Sequence, residues 1–413
     1  EEDMDHLFSH ERLIRTEIST LAGLMAKGEI SLECPSGEKF TEMMERTDAL
    51  MKELHNSFMK PVDMEALQDK SDDFFAKHGV FREAMFYGGE SAYYFQFRDL
   101  FLSKYKDDDA WLRANRNYSI YEAELVLKTI CSRYQGNLQK INNAFSEKGF
   151  DSEILLDAFA FTVKEISGDS GLDEPVVENV IESFKLNYPG NGGFKELHDF
   201  NEYNATPIIQ VNKNTYIALQ VYSIAEAFYE SPFYWMLRDG DYVDTAMMNR
   251  GKVTEDLSAE MLERVFGKGR VFQNVRIFQS KKEVGEVDAL VLFADRAIVV
   301  QAKSKKLTLE SRKGHDQVIR SDFRKSVQDS YDQGFECAKF LGKPEYEFRL
   351  PDGGTLDTAR KYSEIYIICV VLDSYPALSF QSRQFLKYQF NEVIQPPLII
   401  DIFFLDVFTE FIC

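Results

Sequence analysis

Apolar residues recur at helical spacing through the first two hundred positions. Leu7, Leu13, Ile14, Ile18, Leu21 and Leu24 form one stripe, and Met43, Leu50, Leu54 and Phe58 a second. Tyr121, Leu125, Leu127, Ile130 and Tyr134 predict a long helix, and Ile154 to Ile166 another. Breakers fall at Cys34-Pro35-Ser36-Gly37, Gly88-Gly89 and Gly168-Asp169-Ser170-Gly171. Residues 1–190 are therefore expected to be a largely α-helical N-terminal region. Its aromatic run, Tyr93-Tyr94-Phe95 with Phe97, is expected to pack in a core.

The pattern changes after Tyr188-Pro189-Gly190-Asn191-Gly192-Gly193, a turn-rich linker. Residues 191–250 are expected to form a connecting segment. Within it Pro207–Val211 and Thr215–Leu219 read as a hairpin, and Ser223 to Met236 as a helix. From Thr254 the predicted order is helix, three strands, helix, strand. The helix runs from Thr254 to Phe266, and the strands are Val271–Phe278, Glu286–Phe293 and Ala297–Ser304. A second helix spans Ser321 to Leu341, and apolar strands follow at Tyr366–Leu372 and Leu398–Leu405. Residues 251–413 thus read as an α/β domain whose strands are buried on both faces.

With 413 residues, 34 of them Phe and 20 Tyr, the chain has ample material for a core. No run of about 18 uncharged apolar residues is present, so no membrane span is expected. The first residues, Glu1, Glu2, Asp3 and Asp5, are acidic where a signal peptide would be basic. Five widely spaced cysteines show neither zinc spacing nor a disulfide framework, which fits a reducing cytoplasm. His6 and His10 stand four apart on a predicted helix, but without a third ligand they read as a solvated face.

The formal net charge of −20 argues against broad nonspecific affinity for nucleic acid. The charge is unevenly spread, however. From Lys252 to Glu345 there are 18 Lys and Arg against 15 Asp and Glu, so this stretch is slightly basic inside an acidic protein.

The candidate chemistry lies in that stretch. Asp288 sits near the start of an apolar strand, on the face of Leu290 and Leu292 by simple alternation. On the next strand, Gln301 and Lys303 share a face with Val299, so an apolar strand ends in two polar groups. An aspartate beside a buried lysine could be a structural pair. It could equally be half of a metal site. Glu255 falls within the apolar arc of its helix. It is either a first-turn acid at the helix start, with Thr254 near the cap, or a carboxylate aimed into the domain. A hard cation such as Mg²⁺ takes oxygen ligands, which Asp288, Glu255, the Gln301 side chain and the Ala302 carbonyl can provide. Lys303 would stand beside the attacking water. On the second helix, Gln328 and Gln333 are candidates to point at the strand, with Gln333 favoured. The loop carrying Lys305, Lys306, Arg312 and Lys313 follows directly and suits contact with phosphates.

Asp288, a short hairpin and then Gln301-Ala302-Lys303 resemble the PD-(D/E)XK, or restriction-endonuclease-like, nuclease superfamily. The similarity is to the branch with Gln in place of the last acid, which includes Mrr-like enzymes and nuclease-related-domain proteins. Arg250-Gly251-Lys252-Val253-Thr254-Glu255 is similar to the same branch. The sequence departs from the usual pattern in having Val287 where a proline commonly precedes the aspartate. The resemblance implies an α-β-β-β-α-β core and metal-dependent hydrolysis of nucleic acid, DNA ahead of RNA. Mg²⁺ or Mn²⁺ would be held by Glu255, Asp288, Gln301 and Ala302. Lys303 and Gln333 would assist catalysis. It further implies a bacterial antiviral defence setting. From its acidity, the helical region is expected to be a sensor, a brake or an assembly surface for a homo-oligomer or a regulatory protein. The alternative is an inactive nuclease fold that grips nucleic acid or a protein.

Overall fold

In a computed structural model of the chain, the residues described are 14–28, 35, 37–58, 86–88, 92–148, 155–187, 190–304, 316–373, 375 and 378–413. They divide into two units: those up to 58 and from 93 to 246 belong to the first, and 86–88, 92 and 247–413 to the second.

The first unit contains α1 Arg15–Met25, α2 Gly37–Phe58, α3 Tyr94–Tyr105, α4 Asp109–Arg116 and α5 Ile120–Lys148. After these come β1 Ala160–Thr162, α6 Val163–Ser170, α7 Glu174–Ser183, β2 Ile208–Gln210, β3 Thr215–Ala218 and α8 Val221–Met236. The predicted hairpin is present as β2 and β3, and β1 joins it in the antiparallel order β1-β3-β2. The helix expected over Ile154–Ile166 is replaced by a 3₁₀ turn at Leu155–Ala158, strand β1 and then α6. Thr162 stops the strand and starts the helix, because its hydroxyl accepts from the Glu165 N–H while Glu165 reaches back to the Thr162 N–H.

Helix α8 continues through Pro232, which has no N–H to donate. The Tyr105 hydroxyl enters the ladder there, accepting from the Phe233 N–H at 3.2 Å and donating to the Tyr229 carbonyl at 2.7 Å. Phe97 and Phe101 pack beside it in the core. The aromatic run is only partly core, since Tyr93 and Phe95 are 55% and 41% exposed and stack on each other at the start of α3.

The second unit is built on a seven-stranded sheet among the described residues. Its elements are α9 Val243–Phe266, which begins in the first unit, then β4 Val271–Gln279, β5 Lys282–Phe293 and β6 Arg296–Lys303. Helix α10 Asp316–Phe323 runs through a π turn, Arg324–Gln328, into α11 Asp329–Phe340. Strands β7 Tyr346–Arg349, β8 Thr355–Leu356 and β9 Glu364–Val371 follow, then α12 Leu378–Phe385, β10 Leu398–Asp401 and α13 Ile402–Ile412. The strand order is β10-β9-β6-β5-β4-β7-β8, with β10, β9 and β6 parallel and the other pairs antiparallel. The unit is mixed α/β, as expected, with the β7–β8 hairpin falling between α11 and β9 and β10 at one edge of the sheet.

Three boundaries differ from expectation. Helix α9 starts at Val243, so Glu255 is not a first-turn acid, and Thr254 donates its hydroxyl to the Arg250 carbonyl one turn back instead of capping. The last strand stops at Asp401, whose carboxylate accepts from the Phe404 N–H and caps α13 over sequence expected to be strand. The second helix starts five residues early and is interrupted by the π turn.

Strand β5 also breaks its alternation. Val287, Leu290 and Leu292 all join the core with Tyr331, Cys337 and Ala338 of α11. Opposite the break, Asn274 lies between the pairs Gln273↔Ala289 and Val275↔Val287 and has φ of 51°. Asp288 therefore does not share a face with Leu290 and Leu292, contrary to simple period two.

Helix α11 lies close on the sheet through Gly334. A Cβ there would stand 3.0 Å from Ile367 Cγ2 and 3.3 Å from Gln301 Cγ. Over the other face, Phe266 of α9 meets Phe293 edge-on at 6.1 Å. No helix among the described residues is long and apolar enough to cross a membrane.

Candidate active site

The site forms where β5 and β6 part. Their backbone pairing runs from Phe293↔Arg296 to Ala289↔Val300 and then ends. Beyond it side chains bridge the strands. Asp288 Oδ2 accepts from the Ala302 N–H at 2.7 Å, and Gln301 Nε2 donates to the Glu286 carbonyl at 2.8 Å. Strand β6 stays in place because its other edge is paired to β9 as far as Lys303↔Val371. Lys303 is thus carried on a strand buried in the middle of the sheet.

Gln301 is fully buried beneath Gly334, and Ser330 of α11 donates to its carbonyl. Its Oε1 has no hydrogen-bond partner among the described residues. An unmet buried acceptor costs about 1–3 kcal/mol, so this oxygen calls for a donor or a cation. Lys303 Nζ donates to Gln333 Oε1 at 3.2 Å, which joins the favoured glutamine to β6. Gln328 turns elsewhere, bonding Asp332 and both backbone groups of Lys387. Lys305, Lys306, Arg312 and Lys313 lie outside the described residues, as do His6 and His10.

The carboxylates feel one another. Burial raises the Asp288 pKa above the usual range, and the Ala302 N–H and Lys303 only partly offset this. Burial, then the charges of Asp288, Glu286 and Asp256, push Glu255 up to about 7, with Lys303 opposing. A half-buried carboxyl with such a pKa on α9 therefore lies in the field of Asp288. The sequence reasoning missed Glu286. It stands two residues before Asp288 on the same strand, and period two could have found it.

Beside this site is a buried ion pair that sequence did not announce. Arg250 of α9 pairs with Asp373, just past β9, and its Nε donates to the Ser304 carbonyl at 3.2 Å. The Leu372 N–H donates to the Lys303 carbonyl at 3.1 Å. The end of β6 is thus tied on two sides.

No group of three or more His, Cys, Asp and Glu side chains that could hold a metal ion is gathered among the described residues. The donor set still suits a hard divalent cation. It offers two carboxylates whose protonation is raised by burial and then by neighbouring carboxylates, Glu286 beside Asp288 and Asp288 beside Glu255, and a neutral buried oxygen without a hydrogen-bond partner among the described residues.

Residues 250–371 match the family model of the nuclease-related domain (NERD), a nuclease family of the PD-(D/E)XK kind. Asp288, Gln301, Lys303 and Glu255 all fall inside that segment. No curated protein and no solved structure matches the chain.

Proposed function

We propose that the second unit hydrolyses phosphodiester bonds of nucleic acid with Mg²⁺ or Mn²⁺, DNA ahead of RNA. The observation that supports this is the bridging of β5 and β6 by side chains where their pairing ends: Asp288 on the Ala302 N–H, Gln301 on the Glu286 carbonyl with its Oε1 unpartnered among the described residues, and Lys303 near enough to ease the charge on Asp288. Asp288, Glu255, the Gln301 side-chain oxygen and the Ala302 carbonyl would hold the ion. When bound, the ion supplies charge neutralisation at the phosphate and acidifies its water. Lys303 orients the attacking water and faces the charge that develops on the phosphate. Gln333 holds the Lys303 ammonium in line, and the Ala302 N–H fixes the Asp288 carboxylate. The order DNA before RNA, and a setting in antiviral defence, rest on resemblance. The acidic first unit would restrain or trigger the enzyme through a second copy or a regulatory protein.

A second reading draws on Gln301. Its neutral oxygen stands where a charged one would bind metal more tightly, which also suits an idle fold that grips nucleic acid or protein.

The experiment is cleavage of plasmid DNA and of structured RNA with Mg²⁺, Mn²⁺ or EDTA, using wild type, Asp288→Ala and Lys303→Ala. Metal-dependent cutting that both variants lose supports hydrolysis and identifies the polymer. Intact substrate throughout, with no calorimetric metal binding, favours the idle fold.

A further inference from the structure

The basic loop read from sequence is not the whole of the cationic surface. Helix α10, the π turn and α12 lie side by side. Arg320 sits 4.8 Å over the Phe385 ring, Phe323 meets Phe385 edge-on, and Gln328 bonds the Lys387 backbone in both directions. Phe323, Val327 and Leu378 form their shared core with Val371 and Tyr375. Val371 is the residue paired with Lys303, so this core marks the Lys303 end of the sheet.

The outward side is strongly cationic. Arg320, Arg324, Lys325, Arg383 and Lys387 are all exposed, Arg324 to 79%. The sole carboxylate in residues 320–328 and 378–387 is Asp322, which is buried. Among the described residues the exposed Asp329 stands 3.9 Å from Arg324. In a chain of net charge −20, five exposed cations without an exposed acid among them are a local reversal of sign. From Arg324 to Gln333 the helical run covers nine residues, roughly 13 Å of axis. That puts Arg324 a few phosphates away from Gln333, the partner of Lys303, at about 3.4 Å per step along a stacked strand.

We propose that this face of α10, the π turn and α12 holds the phosphate backbone of the strand that leads to Lys303. The inference rests on the nucleic-acid reading above and adds where the polymer lies. Packing explains Phe323, Val327 and Phe385. It does not explain the exposed Arg324, Lys325, Arg383 and Lys387 beside them. Planar guanidiniums at three of the five positions suit phosphate oxygens.

The test is fluorescence anisotropy in EDTA, with a labelled 20-nucleotide single strand and the matching duplex, across roughly 50–300 mM salt. Each lost phosphate contact makes the slope of log affinity against log salt shallower by about 0.7 for single strands and 0.9 for duplex. Arg320→Gln/Arg324→Gln/Lys325→Gln should lose roughly 2 to 3 in slope and at least tenfold in affinity. Arg383→Gln/Lys387→Gln should lose part of each. Lys268→Gln/Lys343→Gln, exposed cations elsewhere in the unit, should stay within twofold of wild type. The circular dichroism of each variant checks its fold. Triple and double variants that both keep wild-type slope and affinity overturn the surface. Binding that needs these cations, with no cutting when metal is added, supports the surface and overturns the hydrolytic reading. Wild type that binds neither polymer overturns both.

Discussion

The Arg250–Asp373 pair is where sequence, fold and site meet most directly. The two side chains are only 3% and 2% exposed, so neither charge has water to fall back on. Removing one partner of a buried pair leaves the other charge stranded, at about 3–5 kcal/mol. Arg250→Ala also forfeits the bond from Nε to the Ser304 carbonyl, worth roughly another 1 kcal/mol. For a unit of this size each kcal/mol moves the midpoint by about 2–4 °C, so a drop on the order of 10 °C is expected. Replacing both charges, as Arg250→Met with Asp373→Leu, removes the stranded charge and should recover most of the loss. The assay must report on the right unit. Both tryptophans, Trp111 and Trp235, lie in the first unit, so their fluorescence serves as the internal control. Hydrogen exchange of β6 and β9 amides in rising urea reports on the second. A single variant costing under about 1 kcal/mol, or a double variant no better than the single, refutes the reasoning.

Three other outcomes follow from the same geometry. Gly334→Ala sets a methyl 3.0 Å from Ile367 and 3.3 Å from Gln301, so overpacking of about 1–3 kcal/mol should exceed the roughly 1 kcal/mol gain in helix propensity; a melt above wild type would show that α11 simply shifts. Glu255 has its folded pKa raised to about 7, so its neutral form is favoured by folding. Its contribution to stability is full below the unfolded value, near 4.5, and is lost as pH rises through about 7. Binding of Mn²⁺ should strengthen over that same window, because the proton must leave first; Glu255→Gln should flatten both profiles, and an unchanged calorimetric pH profile would remove Glu255 from the site. Gln301→Glu puts a charge on a fully buried position, so melting should fall in EDTA and rise more steeply with added Mn²⁺ than in wild type; no metal response would count against Gln301 as a ligand.

Local pattern was enough for much of this. Alternating and continuous apolar runs announced β4, β5, β6 and β9, because a strand buried on both faces has little choice of composition. The separation of Asp288 from Gln301 and Lys303 by one hairpin announced that they would lie on adjacent strands, because an antiparallel hairpin sets its two arms side by side. The helical stripe announced α11, whose Gln333 accepts from Lys303.

What the chain could not reveal locally depended on partners distant in sequence. Simple alternation misplaces Asp288, because the break at Asp288 is matched by Asn274 on the neighbouring strand, and a reversal shared by two strands leaves no periodic signature in either. Asp401 ends β10 and caps α13 in a stretch of uniformly apolar residues, where hydrophobicity alone cannot choose strand or helix. Arg250 and Asp373 are 123 positions apart, and the parallel pairing of β6 with β9 brings Asp373 to the end of β6. Residue type sets what chemistry is available. Burial and the field of neighbouring charges are collective properties of the fold, and they turn Glu255 from an ordinary acid into one that titrates near neutrality.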